Sequence, residues 1–163
     1  MDHGMARWQR AVLGGGIAAL LAGCGGPAPP PPTAAVLTLA ATADVNPTQT
    51  GQAAPVVVRV YQLAATTAFD NAAFFDLFNQ DQATLKGDLV KRDEVTLVPG
   101  QSRTLTLTLP DQVTALGVFG AFRDYAAVVW RVQAPVPAHK TTRLSVQAGK
   151  AGLVLNPPGA SGS

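Results

Sequence analysis

From position 35 onward, apolar and polar side chains alternate in short runs separated by turn residues. Leu37 and Leu39 alternate with Thr38 and Ala40, and Val56, Val58 and Val60 with Val57, Arg59 and Tyr61. Leu105, Leu107 and Leu109 alternate in the same way with Thr104, Thr106 and Thr108. Successive side chains of a strand point to opposite faces, so a period of two rich in β-branched residues predicts half-buried strands. Further strands are predicted over 89–98, 116–123, 127–133, 141–147 and 153–155. The run Leu116 to Phe122 is apolar on both faces, which suits a central strand. Pro99-Gly100 falls between two runs and fits a tight turn, glycine supplying the positive φ that a type II turn requires. About eight short strands at this spacing predict a mainly β fold, a sandwich.

One segment breaks the period. Between Phe69 and Phe78, the residues Phe74, Leu77 and Phe78 share a helical face, and Asp70 or Asn71 can cap its start by accepting from the first free amides. A short helical insert between two strands is expected. It carries four of the chain's six phenylalanines (69, 74, 75 and 78), which either pin it onto the sandwich or form an exposed aromatic docking face.

The beginning of the chain has another character. Arg7 and Arg10 precede an apolar stretch from Ala11 to Leu21, and Leu21-Ala22-Gly23-Cys24 follows. The apolar core falls within the roughly 7–15 residues of a secretory signal and short of the roughly 20 of a permanent span. A small-residue site followed by the chain's only cysteine resembles the bacterial lipobox. That resemblance implies cleavage before Cys24, a diacylglycerol thioether on its sulfur and an acylated new amino terminus. Several acyl chains on one residue hold a protein stably at a bilayer, since each buried methylene contributes about 0.8 kcal/mol. Gly25 stands where enterobacterial lipoproteins retained at the inner membrane commonly carry aspartate, so the implied destination is the periplasmic face of the outer membrane. The run Gly25 to Thr33 contains Pro27, Pro29, Pro30, Pro31 and Pro32 and favours an extended polyproline tether. The expected organisation is a leader (1–23), a lipidated tether (24–34), a sandwich domain (35–156) and a Pro/Gly/Ser-rich disordered end (157–163).

Loss of the leader changes the charge balance. Arg7, Arg10 and Asp2 leave with it, so 12 basic against 10 acidic side chains becomes 10 against 9. The remaining cations form no cluster, which argues against nucleic-acid binding. With Cys24 acylated no thiol remains for a disulfide or a metal, and packing alone must hold the fold. The apolar share of 47 % is ordinary for one globular domain.

Candidate catalytic groups are sparse. His139 is the single histidine of the mature chain and follows the Pro135-Val136-Pro137 loop, a position that fits a solvated surface residue. No serine sits in a nucleophile elbow, and the neighbours Asp93 and Glu94 point to opposite faces of a strand. No metal site, cofactor or small-molecule substrate is expected, and an enzyme has no residues to rest on. Arg59, Arg123 and Arg131 each interrupt an apolar strand, which fits outward-facing positions with Asp93 or Asp124 as partners.

The order of parts resembles the TssJ family, the outer-membrane lipoproteins of bacterial type VI secretion. The resemblance rests on the lipobox, the Pro-rich tether, and a loop carrying Asn46-Pro47 that leads into Val56-Val57-Val58-Arg59-Val60-Tyr61-Gln62-Leu63. The Phe-rich segment from Phe69, Val98-Pro99-Gly100, Phe122-Arg123-Asp124 and Trp130-Arg131 extend it to about Asn156. It implies a transthyretin-like β-sandwich with a small helical addition and a non-catalytic role. The implied partner is the periplasmic C-terminal region of TssM, in a complex that also contains TssL. The implied contact is the loop from Thr42 to Ala54. There Asp44, Asn46, Thr48, Gln49, Thr50 and Gln52 supply donors and acceptors, Pro47 restricts the backbone and Gly51 permits a turn. The alternatives are a plain solvated loop and, for the whole domain, a lipid-anchored carrier of a small periplasmic ligand.

Overall fold

A computed structural model describes residues 27–156. Cys24, the leader and the segment 157–163 lie outside the described residues. Eight strands form two four-stranded sheets: β1 (Ala34–Ala41), β2 (Val56–Leu63), β3 (Leu89–Leu97), β4 (Ser102–Thr108), β5 (Ala115–Gly120), β6 (Arg131–Pro135), β7 (Thr141–Gly149) and β8 (Gly152–Asn156). One sheet has the order β4-β1-β7-β8, with β1 and β7 parallel; the other has the order β3-β2-β5-β6 and is antiparallel throughout. Helices α1 (Thr67–Asn71) and α2 (Phe74–Leu85) lie between β2 and β3 in sequence.

The alternation read from the sequence sets the inward faces. Leu37 and Leu39 of β1 and Val56, Val58 and Val60 of β2 are fully buried and meet Leu107, Val118, Val146 and Leu153 in one core. Each of these side chains contributes roughly 1.5–3 kcal/mol on burial, so the inter-sheet seam carries most of the stability in a fold without a described disulfide. The expected turn is present: Gly100 has φ of 78°, and the Gln101 N–H donates to the Val98 carbonyl at 3.0 Å. Strand β5 is buried at every residue, as its two-faced apolar pattern predicts.

Three expectations shift. Strand β5 stops at Gly120, because the Phe122 N–H folds back onto the Gly120 carbonyl, so Arg123 lies in a loop and not on a strand. Strand β6 begins at Arg131 instead of position 127, because Val129 leaves the sheet to bridge Gly152. The helical segment is longer than expected and double, and neither Asp70 nor Asn71 caps α2. Asp76 does so, accepting from the Ala73 N–H at 3.2 Å, while the Asn71 amide turns back to the Thr67 carbonyl.

The helices cover the outer face of the β3-β2-β5-β6 sheet, forming a second apolar layer of Tyr61, Leu63, Phe69, Phe74, Leu77, Leu85 and Phe119. A Cβ at Gly117 would stand 2.9 Å from the Phe69 ring, so the glycine is what lets that ring lie on the sheet. The phenylalanines divide: Phe69 and Phe74 are buried and pin the insert onto the sheet, whereas Phe75 and Phe78 remain 50 % and 42 % exposed.

Candidate partner-binding site

Strand β1 runs from the tether to the loop Thr42 to Ala54, so the two lie at opposite ends of the sandwich. At the tether end, Thr33 is buried and its carbonyl accepts from the Leu109 N–H at 2.9 Å. His139, in a left-handed conformation (φ 58°), donates its backbone N–H to Thr33 Oγ1 at 2.9 Å and places Nδ1 3.1 Å from the Pro31 carbonyl. His139 is exposed, as expected, and its backbone bond helps fix Thr33, where the Pro-rich segment meets β1.

At the other end the loop is a pinned ring. Val45 and Ala54 are buried, and the Ala54 N–H donates to the Val45 carbonyl at 3.1 Å. Asn46 is 4 % exposed with φ of 46°, a left-handed conformation that asparagine tolerates better than most residues. Its Nδ2 donates to the Pro55 carbonyl at 2.8 Å, and its Oδ1 accepts the Arg123 N–H at 2.9 Å. Asp44 accepts from the Thr42 hydroxyl. The tip closes on itself: the Thr48 N–H donates to Gln52 O, the Gly51 N–H to Thr48 O, and the Thr48 and Thr50 hydroxyls stand 2.9 Å apart. Gly51 takes φ of 80° there. Of the eight loop positions named from the sequence, Asn46 is thus committed to internal bonds, while Gln49, Thr50 and Gln52 are exposed at the tip and Pro47 is half-buried.

The loop does not stand alone. Asn46 through Thr50 form one wall of a cleft of about 970 Å³ whose other walls are Phe122 to Asp124, Ala127 and Val128, and the β7–β8 turn at Lys150 and Ala151. These last two segments lie 72 to 105 positions from the loop in sequence, and no periodicity or motif spacing signals that they converge on it. The Val129 N–H donates to Ala151 O at 3.1 Å and the Leu153 N–H to Val129 O at 2.6 Å, which fastens the second wall to the third.

The helical cap braces the second wall from behind. Phe74 stacks on Tyr125 with centroids 4.4 Å apart and meets Trp130 edge-on at 5.4 Å. Its own position is fixed by two arginines on the covered sheet face. Arg131 donates to the carbonyls of Phe69 and Ala72 at 2.9 and 2.6 Å, at the end of α1. Arg59 donates to the carbonyls of Leu77 and Phe78 at 2.9 and 3.0 Å, where the non-helical Gln80 interrupts α2 and frees them. The outward orientation expected for these arginines holds, but helices cover that face. Their partners are carbonyls and, for Arg59, Glu94 at 2.8 Å and Asp81 at 3.5 Å; Asp93 pairs with Lys91 instead.

Asp81 is 5 % exposed and receives Tyr61 Oη at 3.0 Å and Arg92 at 2.7 Å. Burial alone would raise its pKa, but the hydrogen bonds from Arg92 and Tyr61 outweigh this and hold it below the usual carboxylate range. Burial pushes the Tyr61 phenol well above its ordinary value, so it stays a neutral donor. For Arg59, burial opposes the charge, yet the bond to Glu94 and the neighbouring acid keep its pKa raised. This cluster is an ionic staple between α2 and the sheet. Among the described residues no group of three or more His, Cys, Asp or Glu side chains could hold a metal, and no helix is long and apolar enough to cross a membrane.

A two-sheet sandwich with two short helices is the architecture of the lipoproteins of type VI secretion, a class of structural components. The chain belongs to the type VI secretion lipoprotein family described by the names VasD, EvfM and TssJ, whose model matches residues 33–151. It is 41 % identical to the lipoprotein TssJ1 of Pseudomonas aeruginosa, whose crystal structure superposes with a TM-score of 0.73 over 78 % of this chain and 98 % of that one. A chain in a structure described as a type VI membrane complex is 29 % identical, with a TM-score of 0.68 over 77 % and 98 % of the two chains. A chain in a structure described as the TssM C-terminal domain (869–1107) from EAEC is 28 % identical, with a TM-score of 0.64 over 77 % and 98 %. No curated protein sequence matches it.

Proposed function

We propose that this chain is a non-catalytic outer-membrane lipoprotein that anchors the type VI secretion membrane complex by binding the periplasmic C-terminal region of TssM. The lipid sits on Cys24, the body lies in the periplasm, and the cleft walled by the loop Thr42 to Ala54 receives TssM, which in turn meets TssL. The observation that carries this reading is the placement of the loop. Its tip residues Gln49, Thr50 and Gln52 are exposed at the end of the sandwich opposite the tether, beside a cleft large enough for a protein segment. The likeness to chains in structures described as a type VI membrane complex and a TssM C-terminal domain supports the partner.

Two experiments test it. Isothermal titration of the mature lipoprotein in detergent with the C-terminal periplasmic region of TssM from the same bacterium should show binding at micromolar concentration or tighter. A flat titration overturns the partner. Cys24→Ser should leave the sandwich folded while the protein partitions away from outer-membrane fractions and secretion stops; secretion at the wild-type level overturns the anchoring role.

A further inference from the structure

The chemistry of the cleft narrows what it takes. Its apolar lining consists of the buried Phe122, the half-buried Pro47 and Val128, and the exposed Ala127 and Ala151. Its rim carries Arg123 and Lys150, both exposed, against one carboxylate, Asp124. Among the described residues the ion pairs join Arg59, Lys91 and Arg92 to Asp81, Asp93 and Glu94, so neither rim cation is neutralised there by a carboxylate of its own chain. Two cations without an ion pair among the described residues, beside apolar lining, complement an anionic group attached to something apolar.

Resting on the reading above, we infer that the cleft holds an acidic segment of the partner protein, with a carboxylate between Arg123 and Lys150 and an apolar side chain on Phe122. A lone small anion would leave the apolar lining uncovered in a cleft of about 970 Å³. An anionic lipid headgroup is disfavoured by position, because the cleft opens at the end of β1 opposite the tether. The Asn46 side chain and the Val129–Gly152 bridge hold the walls in place without the partner. The segment therefore enters a preformed site, and rim charge sets its orientation and its rate of capture.

The test uses the mature lipoprotein in detergent and the C-terminal periplasmic region of TssM, titrated at low and at high salt. Arg123→Glu with Lys150→Glu should weaken binding about tenfold and remove most of its salt dependence. Arg143→Glu, an exposed arginine on β7 that pairs with Val36 at the end of β1 opposite the loop, should change affinity by less than about twofold. If the double reversal fails to melt cooperatively, Arg123→Gln with Lys150→Gln carries the test, with the same sign and a smaller effect. A photo-crosslinker at Thr50 should capture a TssM peptide containing Asp or Glu. Unchanged affinity and salt dependence in the charge variants, alongside weakened binding by Thr50→Arg, would retain the partner site and overturn its acidic occupant. A captured peptide without carboxylates, or binding of phosphatidylglycerol vesicles that the double reversal abolishes, would overturn it too. Absence of any wild-type binding would overturn both readings.

Discussion

The backbone N–H of Arg123 donates to Oδ1 of Asn46 at 2.9 Å, so one side chain joins two loops 77 positions apart and sets the width of the cleft between them. Asn46 spends its other end on the Pro55 carbonyl, 2.8 Å away. Asn46→Ala should therefore leave a donor and an acceptor without partners and cost about 2–3 kcal/mol in urea unfolding. Asn46→Asp keeps the acceptor for Arg123 but turns a buried carboxylate oxygen toward the Pro55 carbonyl, so near neutral pH it should cost at least as much. Hydrogen exchange should quicken at Arg123 in the first variant and stay slow in the second.

Gly152 makes the second prediction. Its φ is 102°, and a Cβ there would lie 2.2 Å from the Val129 carbonyl oxygen. Gly152→Ala must either strain the backbone or part the Val129–Gly152 bridge, at a cost of at least about 2 kcal/mol. Because that bridge fastens two walls of the cleft, affinity for the partner should fall although no cleft-lining side chain has changed. A melting curve and a titration on the same sample check both halves.

Arg59 is the test of the helical cap. Arg59→Met removes the donor that serves the carbonyls of Leu77 and Phe78 and one of the cations facing Asp81. A loss of about 2–4 kcal/mol is expected, with the helical circular-dichroism signal fading before the sheet signal. A Lys at this position should restore little, since a single ammonium cannot present the planar fork that reaches two carbonyls and Glu94 together.

Acid should act through Asp81. Its folded pKa is lowered, so its contribution to stability is complete above the ordinary carboxylate value of roughly 4 and drains away as pH falls through the lower folded value. The wild type should lose stability across that interval more steeply than Asp81→Asn, which is weaker near neutral pH but flatter in acid. Equal slopes in denaturant melts across the acid range would refute this.

The strands were legible because their physics is local. In β1 and β4, and in β2 as far as Val60, each inward Leu or Val is paired with an outward neighbour and burial follows that alternation; beyond Val60, β2 is buried on both faces because the helices cover it. What could not be read depends on distant partners. Val129 is as apolar as a strand residue, yet Gly152, far along the chain, draws it out of β6. Arg59 and Arg131 were placeable on the outward face, but their acceptors exist only where α1 ends and α2 breaks. At the cleft, the loop tip was nameable from its turn residues. The walls contributed by Arg123 and Lys150 were not, because they meet it only through the register of the two sheets.

Strand β1 enters from the tether at Ala34 and leaves into the loop after Ala41, with β4 bonded along one side and β7 along the other. A pull applied between those two ends acts along the strand, over roughly 25 Å at about 3.3 Å per residue. Such a load passes along the covalent backbone of β1, which is already extended, so neither ladder has to yield for the strand to bear it. A hairpin loaded across its edge would instead unzip one bond at a time. In the anchoring role proposed above, a load between the membrane and the partner would be carried by the stronger of the two geometries.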